Sequence, residues 1–330
     1  MAGRSIRRKT LLVGIAACLL LTGCGVLGNE SGSGEEELTV LTIGTADSGG
    51  TMYMVGSAIA QAITEGDSSI KVNLGASTGS TMNVRGLAGG EIDLGLVSGD
   101  VAYAAYHGQD EFTQPVESLR AVAAVYVSTS NWIAPVSVGA EYVHDLVGKR
   151  IGMGPQESTT ELSARTAVET IGLNQAGTQF INCGLGDGAR MVEQGELDAI
   201  HGFSGAPVGG LMELAQEEPC RLLQYTKEEL ESILAQNQSY RHAVIPAGTY
   251  VGQEQDVDTF GVKCLLCVDE SMSQQMVYRL TQEIWAAAEQ LAGEHPALAV
   301  MTQKDFVCQD LPIPLHGGAR QFYEEQGVLK

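Results

Sequence analysis

The chain has 330 residues, of which 44% are hydrophobic, and its formal net charge at pH 7 is −21. This length is sufficient for two domains of ordinary size, and the apolar content is sufficient to build their cores. So negative a chain argues against nucleic acid and anionic lipid as partners. An anion can still bind such a protein where local N–H groups and hydroxyls converge.

The N-terminal segment has the pattern of a lipoprotein signal. Four basic residues precede an apolar run, residues 11–21, that is too short to span a bilayer comfortably. The run ends in Leu-Thr-Gly-Cys, which matches a lipobox. We predict a signal peptide over 1–23, a lipid anchor on Cys24 and a flexible tether over 24–37. Removal of the four basic residues changes the formal net charge to −25. We expect the exported protein to be held by its lipid at the outer face of the cytoplasmic membrane. The alternative is a signal-anchor helix with an incidental cysteine.

Five of the seven cysteines lie beyond residue 24, and this odd number predicts no complete disulfide framework. Cys264 and Cys267 have the spacing of a redox pair, but they lie in the apolar run 260–268, which is typical of a buried strand. Residues three apart on a strand face opposite sides. We therefore expect structural thiols, with no metal and no cofactor.

Three polar loops in the first half, residues 44–53, 75–80 and 98–100, each follow a predicted strand and precede a predicted helix. In a parallel sheet this order places the loops at the carboxyl edge, where α/β proteins bind ligands. The glycine-rich first loop offers an anion the backbone N–H groups at a helix start. Its pattern is close to a P-loop, but Gly50 stands at the lysine position, so a carboxylate fits better than a nucleotide. The alternative is a tight turn without a ligand.

An internal repeat indicates a second unit of similar topology. Residues 85–94 align without gaps on residues 190–199, and residues 41–44 have a counterpart at 149–152. A chance match of two strand-loop-helix units is the alternative, because such units share turn residues. The second unit has its own polar loops after predicted strands, and these loops are residues 154–160 and 202–207.

Residues 121–127 and 132–136 are predicted strands that leave the first lobe, and residues 260–268 form the strand that returns. A chain that leaves a lobe and comes back makes a two-strand hinge with a cleft between the lobes. After residue 273 we expect a long amphipathic helix that packs on the first lobe. The predicted class is α/β, with two lobes, each a mainly parallel sheet flanked by helices. The predicted boundaries are 38–128 plus 266–330 for lobe I and 129–265 for lobe II.

Short hydrogen-bonding side chains recur in these loops, and their convergence on one cleft favours ligand binding over helix capping alone. Asp100 is a candidate for an ammonium group or for a helix cap. For the aromatic candidates Tyr53, Trp132 and Phe203, the alternative to ligand contact is a position in the core. His201 is expected in the core. Nucleophile motifs and paired metal-binding histidines are absent, so we predict a binding protein and not an enzyme. The predicted ligand-binding residues are Ser48, Gly49, Gly50, Thr51, Met52, Tyr53, Ser77, Thr78, Ser80, Asn83, Ser98, Asp100, Trp132, Gln156, Ser158, Thr159, Thr160, Phe203, Ser204 and Gly205.

In its motifs and their order the chain resembles the TAXI family of TRAP-transporter solute-binding proteins over nearly all of its mature length. The motifs are Ile-Gly-Thr at 43–45 with Gly-Gly-Thr at 49–51, Thr-Gly-Ser at 78–80, Gly-Glu-Ile-Asp-Leu-Gly-Leu-Val-Ser at 90–98 with Asp-Val-Ala-Tyr at 100–103, Gly-Lys-Arg-Ile at 148–151, Ile-Pro-Ala-Gly-Thr-Tyr at 245–250, and Leu-Pro-Ile-Pro-Leu-His-Gly-Gly-Ala at 311–319.

The resemblance implies a two-lobed periplasmic-binding-protein fold that delivers a small carboxylate to a membrane-embedded TRAP permease. Glutamate-like amino acids and dicarboxylates such as 2-oxoglutarate are the implied ligands. One departure is Asp47, which lies in the first loop where the family commonly has glycine and threonine. Arg85 is interpreted as structural. A lipoprotein that presents its ligand to a sensor, and an enzyme on the same fold, are the alternative functions.

Overall fold

The computed structural model describes residues 38–174 and 177–329. The predicted signal peptide, lipid anchor and tether lie outside these residues. Within the described ranges no helix combines the length and apolar character that a membrane crossing requires.

The first half of the chain alternates parallel strands with helices, as the loop pattern predicts. Its strands pair in the order β2-β1-β3, and β1 is parallel to both neighbours. The elements are β1 (Thr39–Gly44), α1 (Thr51–Gly66), β2 (Ile70–Gly75), α2 (Ser80–Gly89), β3 (Leu94–Ser98) and α3 (Gly99–His107).

A long strand, β4 (Leu119–Pro135), then leads into a second parallel unit in which β5 pairs with both β6 and β7. The elements of this unit are β5 (Arg150–Gly152), α4 (Thr159–Thr170), β6 (Gln179–Ile181), α5 (Leu185–Glu193), β7 (Ala199–Ser204), α6 (Gly209–Glu217), β8 (Cys220–Leu222), α7 (Lys227–Leu234) and β9 (Arg241–Ile245). The chain returns through β10 (Val257–Asp269) and ends in α8 (Gln274–Ala286), α9 (Ala288–Glu294), α10 (Lys304–Cys308) and α11 (Gly317–Glu325).

The two parallel units are joined by the antiparallel pair β4 and β10, which we call the connecting strands. They pair with each other from Gly261↔Thr129 to Asp269↔Leu119. The connecting strand β10 also pairs with β3, and β4 also pairs with β7. The described strands therefore form one continuous sheet whose main order is β2-β1-β3-β10-β4-β7-β5-β6. The predicted α/β class, with two mainly parallel units and two connecting strands, is confirmed.

Two element predictions need correction. Residues 121–127 and 132–135 are parts of the single 17-residue strand β4, since the polar segment between them is buried and paired with β7. The last predicted strand residue, Val136, instead begins a short 3₁₀ helix. The predicted long C-terminal helix ends at Ala286, and α9 follows after Ala287. Both helices still pack on the first unit, because Val277 and Leu291 share a core with the buried face of α1.

The two repeated segments adopt the same local structure. Each helix is followed by a glycine with positive φ, 69° at Gly90 and 70° at Gly195. Three residues later an aspartate accepts a hydrogen bond from the backbone of the neighbouring parallel strand, at 2.8 Å for Asp93 and 2.7 Å for Asp198. The repeat is therefore a helix-turn-strand unit used once in each half.

Cys264 and Cys267 lie fully buried in β10, and both thiols are free. Burial raises the pKa of Cys264 to about 12, so this thiol stays protonated and unreactive at neutral pH.

The connecting strands approach closely at Gly261. A Cβ atom at this position would lie 2.5 Å from the Ser128 carbonyl oxygen, so one backbone would have to move. We expect Gly261→Ala to lower the free energy of unfolding by about 1–3 kcal/mol, the usual effect of overpacking, as measured by urea denaturation. Gly293→Ala is the matched control, because nothing lies within 4 Å of that added Cβ. Equal stability of the Gly261→Ala variant and the wild type would contradict this account.

His201 lies in the core, as expected from its apolar neighbours. Its side chain is fully buried, its Nε2 lies 2.9 Å from Ser130 Oγ, and its ring centroid lies 4.4 Å from that of Trp132. Burial lowers the pKa of His201 to about 3, because no solvent reaches the charged form.

This shift makes folding sensitive to mild acid. The unfolded chain protonates His201 near its ordinary pKa of about 6.5, while the folded protein keeps it neutral. Stability is therefore complete above that pH and falls as the pH is lowered. We expect this residue to account for about 2 kcal/mol of the loss in unfolding free energy between pH 7 and pH 5. Urea denaturation at both pH values should show a smaller loss for His201→Phe, and identical losses would refute the assignment.

Candidate functional site

A small cavity of about 40 Å³ lies where the carboxyl ends of the parallel strands of both halves meet. Both repeated units contribute loops to its wall, as the repeat predicts. Since one water needs about 10–15 Å³ on this measure, the cavity has room for about three waters. It is lined by Ala46, Asp47, Gly50, Met52, Thr78, Gly79, Pro155, Ser158, Thr159, Thr160, Leu185, Phe203 and Ser204.

Eight of the predicted ligand-binding residues line this cavity. The first half supplies a glycine, a methionine and a threonine, and the second half supplies hydroxyl groups together with one aromatic ring. These eight residues are Gly50, Met52, Thr78, Ser158, Thr159, Thr160, Phe203 and Ser204.

Other predicted residues hold the loops in place. Asn83 donates from Nδ2 to the carbonyl oxygens of Thr45 and Leu96, at 2.8 and 2.7 Å. Ser77 Oγ lies 2.9 Å from the same Thr45 oxygen. Ser80 Oγ accepts a bond from the Ser98 backbone N–H at 2.9 Å. These side chains hold the backbone at the carboxyl ends of β1 and β3, from which the cavity loops begin.

Five other predicted residues do not line the cavity. Trp132 is a core residue whose indole N–H donates to the Tyr225 hydroxyl at 2.5 Å. Asp100 lines a different and larger cavity. Tyr53 is half-buried at the start of α1, and the side chains of Ser48 and Gln156 are exposed. The predicted residues thus fall into three groups: some line the cavity, some hold its loops in place, and some do neither.

The two halves touch each other around the small cavity through polar groups. Thr51 Oγ1 donates to the Gly205 carbonyl oxygen. The Gly210 N–H donates to the Gly49 carbonyl oxygen at 3.1 Å, and other contacts include the Thr159 and Ser80 hydroxyls at 2.9 Å. These contacts hold the two halves together, and Thr51 and Gly205 take part in them without lining the cavity.

Asp47, the departure in the first loop, makes one of these contacts. Its carboxylate accepts a bond of 2.8 Å from the Leu185 N–H at the N-terminus of α5 in the other half. Gly49 permits this approach, since a Cβ there would lie 2.6 Å from the Gly186 nitrogen. The helix dipole favours a negative charge at this position. Asp47 therefore links the halves.

The helix ends at the cavity differ in how they are capped. Helices α1 and α2 have no side-chain cap and no acidic residue in the first turn. Helix α4 is capped by Ser158, whose Oγ accepts from the Glu161 N–H at 3.2 Å. Free N–H groups at a helix start attract anions. The first half therefore presents two positive helix ends toward the cavity.

The cavity contains little fixed charge. None of the described residues that line it is a lysine, arginine or histidine, and its one carboxylate, Asp47, is bonded to α5. In the described ranges no three His, Cys, Asp or Glu side chains lie close enough to hold a metal ion. The described lining therefore offers a ligand backbone groups and hydroxyl-bearing side chains, and no basic side chain.

Ala46, Gly79, Pro155 and Leu185 also line the cavity, although they are not among the predicted ligand-binding residues. The first three lie in the predicted binding loops, so their position in the sequence is a signal for them. Leu185 has no such signal, because it is brought to Asp47 from 138 residues away.

Two parallel α/β units joined by two connecting strands, with a small cavity between their loops, define the two-lobed periplasmic-binding-protein fold. The chain belongs to the NMT1-like family, whose model matches residues 43–327.

Solved structures of similar fold include the alkanesulfonate-binding protein SsuA from Xanthomonas axonopodis pv. citri bound to MOPS. It is 15% identical, with 87% of this chain and 84% of that chain covered and a TM-score of 0.47. Another is a putative L-cystine ABC transporter from Listeria monocytogenes, 11% identical, with 79% and 96% covered and a TM-score of 0.48.

The contact between Asp47 and α5 generates a prediction about closure. We expect Asp47→Ala to favour a more open arrangement, because the positive end of α5 loses its partner charge. Small-angle X-ray scattering should give a larger radius of gyration for this variant than for the wild type. Asp258→Ala, in the exposed β9–β10 region, is the matched control. An unchanged radius in the Asp47→Ala variant would contradict a linking role.

Proposed function

We propose that this protein is the extracytoplasmic solute-binding subunit of a TRAP-type secondary transporter. In this proposal its two lobes close on a small carboxylate and deliver it to a membrane permease. The observation that carries the proposal is the cavity between the two parallel units. It lies at the uncapped N-termini of α1 and α2, and residues with hydroxyl groups from both units line it.

The helix ends support a carboxylate as the bound group. A single negative charge is well matched by free N–H groups and by hydroxyls such as those of Thr78 and Thr160. A group with several negative charges would need a basic side chain, and none lines the cavity among the described residues. This supports glutamate-like amino acids and small organic acids such as 2-oxoglutarate as ligands.

Opening of the lobes is part of the proposal. A cavity of about 40 Å³ is too small for an organic acid, so the solute enters only when the polar contacts between the halves separate. Proteins of this shape move about the few residues that join their lobes. The connecting strands β4 and β10 are placed to serve as this hinge, with lobe I over 38–128 and 266–330 and lobe II over 129–265.

The cellular setting of the proposal comes from the N-terminal sequence and the TAXI resemblance. Removal of residues 1–23 and lipidation of Cys24 would hold the protein at the outer face of the cytoplasmic membrane, where the tether would allow it to reach its permease.

A thermal-shift screen of organic acids and amino acids tests the ligand class. We expect a carboxylate to raise the melting temperature, since a ligand at a hundred times its Kd adds about 2.7 kcal/mol to the stability. We further expect Thr78→Val to weaken binding by isothermal titration calorimetry, because this hydroxyl lines the cavity.

The matched control is Thr113→Val, an exposed threonine outside the cavity. Its affinity should equal that of the wild type. No stabilisation by any carboxylate, or equal affinity in the Thr78→Val variant and the wild type, would refute the proposed ligand or its site.

A further inference from the structure

A second cavity, of about 1150 Å³, lies apart from the small one and is open to solvent. It is bounded by α3 and the loop after it on one side, and by α4 and the segment that follows α7 on the other. The two cavities share no lining residue. Drug-sized ligands occupy sites of this order of size, about 300–1000 Å³. The small cavity and the function proposed for it do not use this space.

The wall of the large cavity is acidic. Four carboxylates line it, from Asp100, Asp110, Glu111 and Glu169. One arginine, Arg165, also lines it, but its guanidinium is bonded to Glu161 at 2.5 Å. The four carboxylates therefore exceed the basic groups that face them, and the cavity has a negative potential.

Asp100 is the deepest of these carboxylates. Only 8% of this residue is exposed, and its Oδ1 accepts a bond of 2.9 Å from the Val101 N–H. Burial raises the pKa of Asp100, hydrogen bonds from Ser98 and from the Val101 N–H partly oppose this rise, and the charge of Asp110 adds to it. Among the described residues it forms no ion pair with a basic side chain. A buried carboxylate without a cation is costly unless something compensates its charge.

Two residues with hydroxyl groups line the same cavity as this carboxylate. Thr81 is 3% exposed, and in the described part of the chain its Oγ1 has no hydrogen-bond partner. Tyr240 also lines the cavity, and burial together with the proximity of Asp100 raises its pKa. Buried polar atoms are nearly always bonded, so an unpartnered oxygen in the cavity wall indicates that a partner is missing there.

We propose that the large cavity binds an organic cation through a primary ammonium group. The ammonium pairs with the Asp100 carboxylate and donates its remaining hydrogens to the Thr81 and Tyr240 oxygens. An ammonium has three donors and no acceptor, which matches one carboxylate and two hydroxyl oxygens. The rim carboxylates attract further positive charge on the same molecule, so an aliphatic diamine fits the site better than a monoamine.

The geometry favours an organic cation over a metal ion. In the described ranges no three His, Cys, Asp or Glu side chains come close enough together to coordinate a metal. The carboxylates are instead spread along a cavity that is large enough for an aliphatic chain.

Isothermal titration calorimetry of the protein with putrescine tests this proposal. We expect saturable binding with one site, and at least a tenfold weaker affinity for Asp100→Asn. The asparagine keeps the oxygen that accepts from Val101 N–H, so α3 keeps its first bond. Glu213→Gln is the matched control: it removes the same charge from an exposed position outside the cavity, and its affinity should equal that of the wild type.

A second variant covers the case in which Asp100→Asn is poorly folded. Thr81→Val preserves the shape of the side chain and should weaken putrescine binding severalfold, with an unchanged response to carboxylates in the small cavity. No saturable binding of putrescine to the wild type would overturn the proposal. Equal weakening by Asp100→Asn and Glu213→Gln would also overturn it, since attraction to the negative chain as a whole would then explain the binding.

Discussion

The antiparallel pairing of β4 with β10 is the interaction on which the rest of the structure depends. One edge of this pair carries β3 and the other carries β7, so each parallel unit is hydrogen-bonded to its own connecting strand. This arrangement turns the strand ends of the two units toward each other. The polar loops that follow those strands then meet, and the small cavity forms between them. The close approach at Gly261 shows how tightly the connecting strands are fitted.

The two units meet through a few polar contacts. They include the bonds from Thr51 to Gly205, from Thr159 to Ser80 and from Leu185 to Asp47. A typical hydrogen bond contributes only about 0.5–1.5 kcal/mol net, because water replaces it when the groups separate. A closed arrangement of this kind is stabilised weakly, and a solute with its own hydrogen-bonding groups can add to it. The positive ends of α1 and α2 explain how so acidic a protein can still attract an anion.

Strand-loop-helix units can be predicted from the sequence because their signals are local. Contacts between residues far apart in the chain cannot, because no local pattern indicates them. Loop position after strands, and the repeat with its glycine turn, placed eight of the predicted residues at the cavity. Trp132 and His201 are part of one polar core group with Ser130 and Tyr225, which no spacing indicates. The contact of Asp47 with Leu185 joins residues 138 apart, so Asp47 was noticed only as a departure. The unbroken length of β4 also depends on its pairing with β7, because the polar residues in the middle of β4 have the local sequence pattern of a turn.

Native mass spectrometry of the gently purified protein, followed by denaturation and identification of any released small molecule, tests the central claim most directly. The account predicts one solute per chain, a small carboxylate, bound by the wild type and lost or reduced in Thr78→Val. A protein that carries no solute, and that acquires none after incubation with a mixture of organic acids and amino acids, would contradict it.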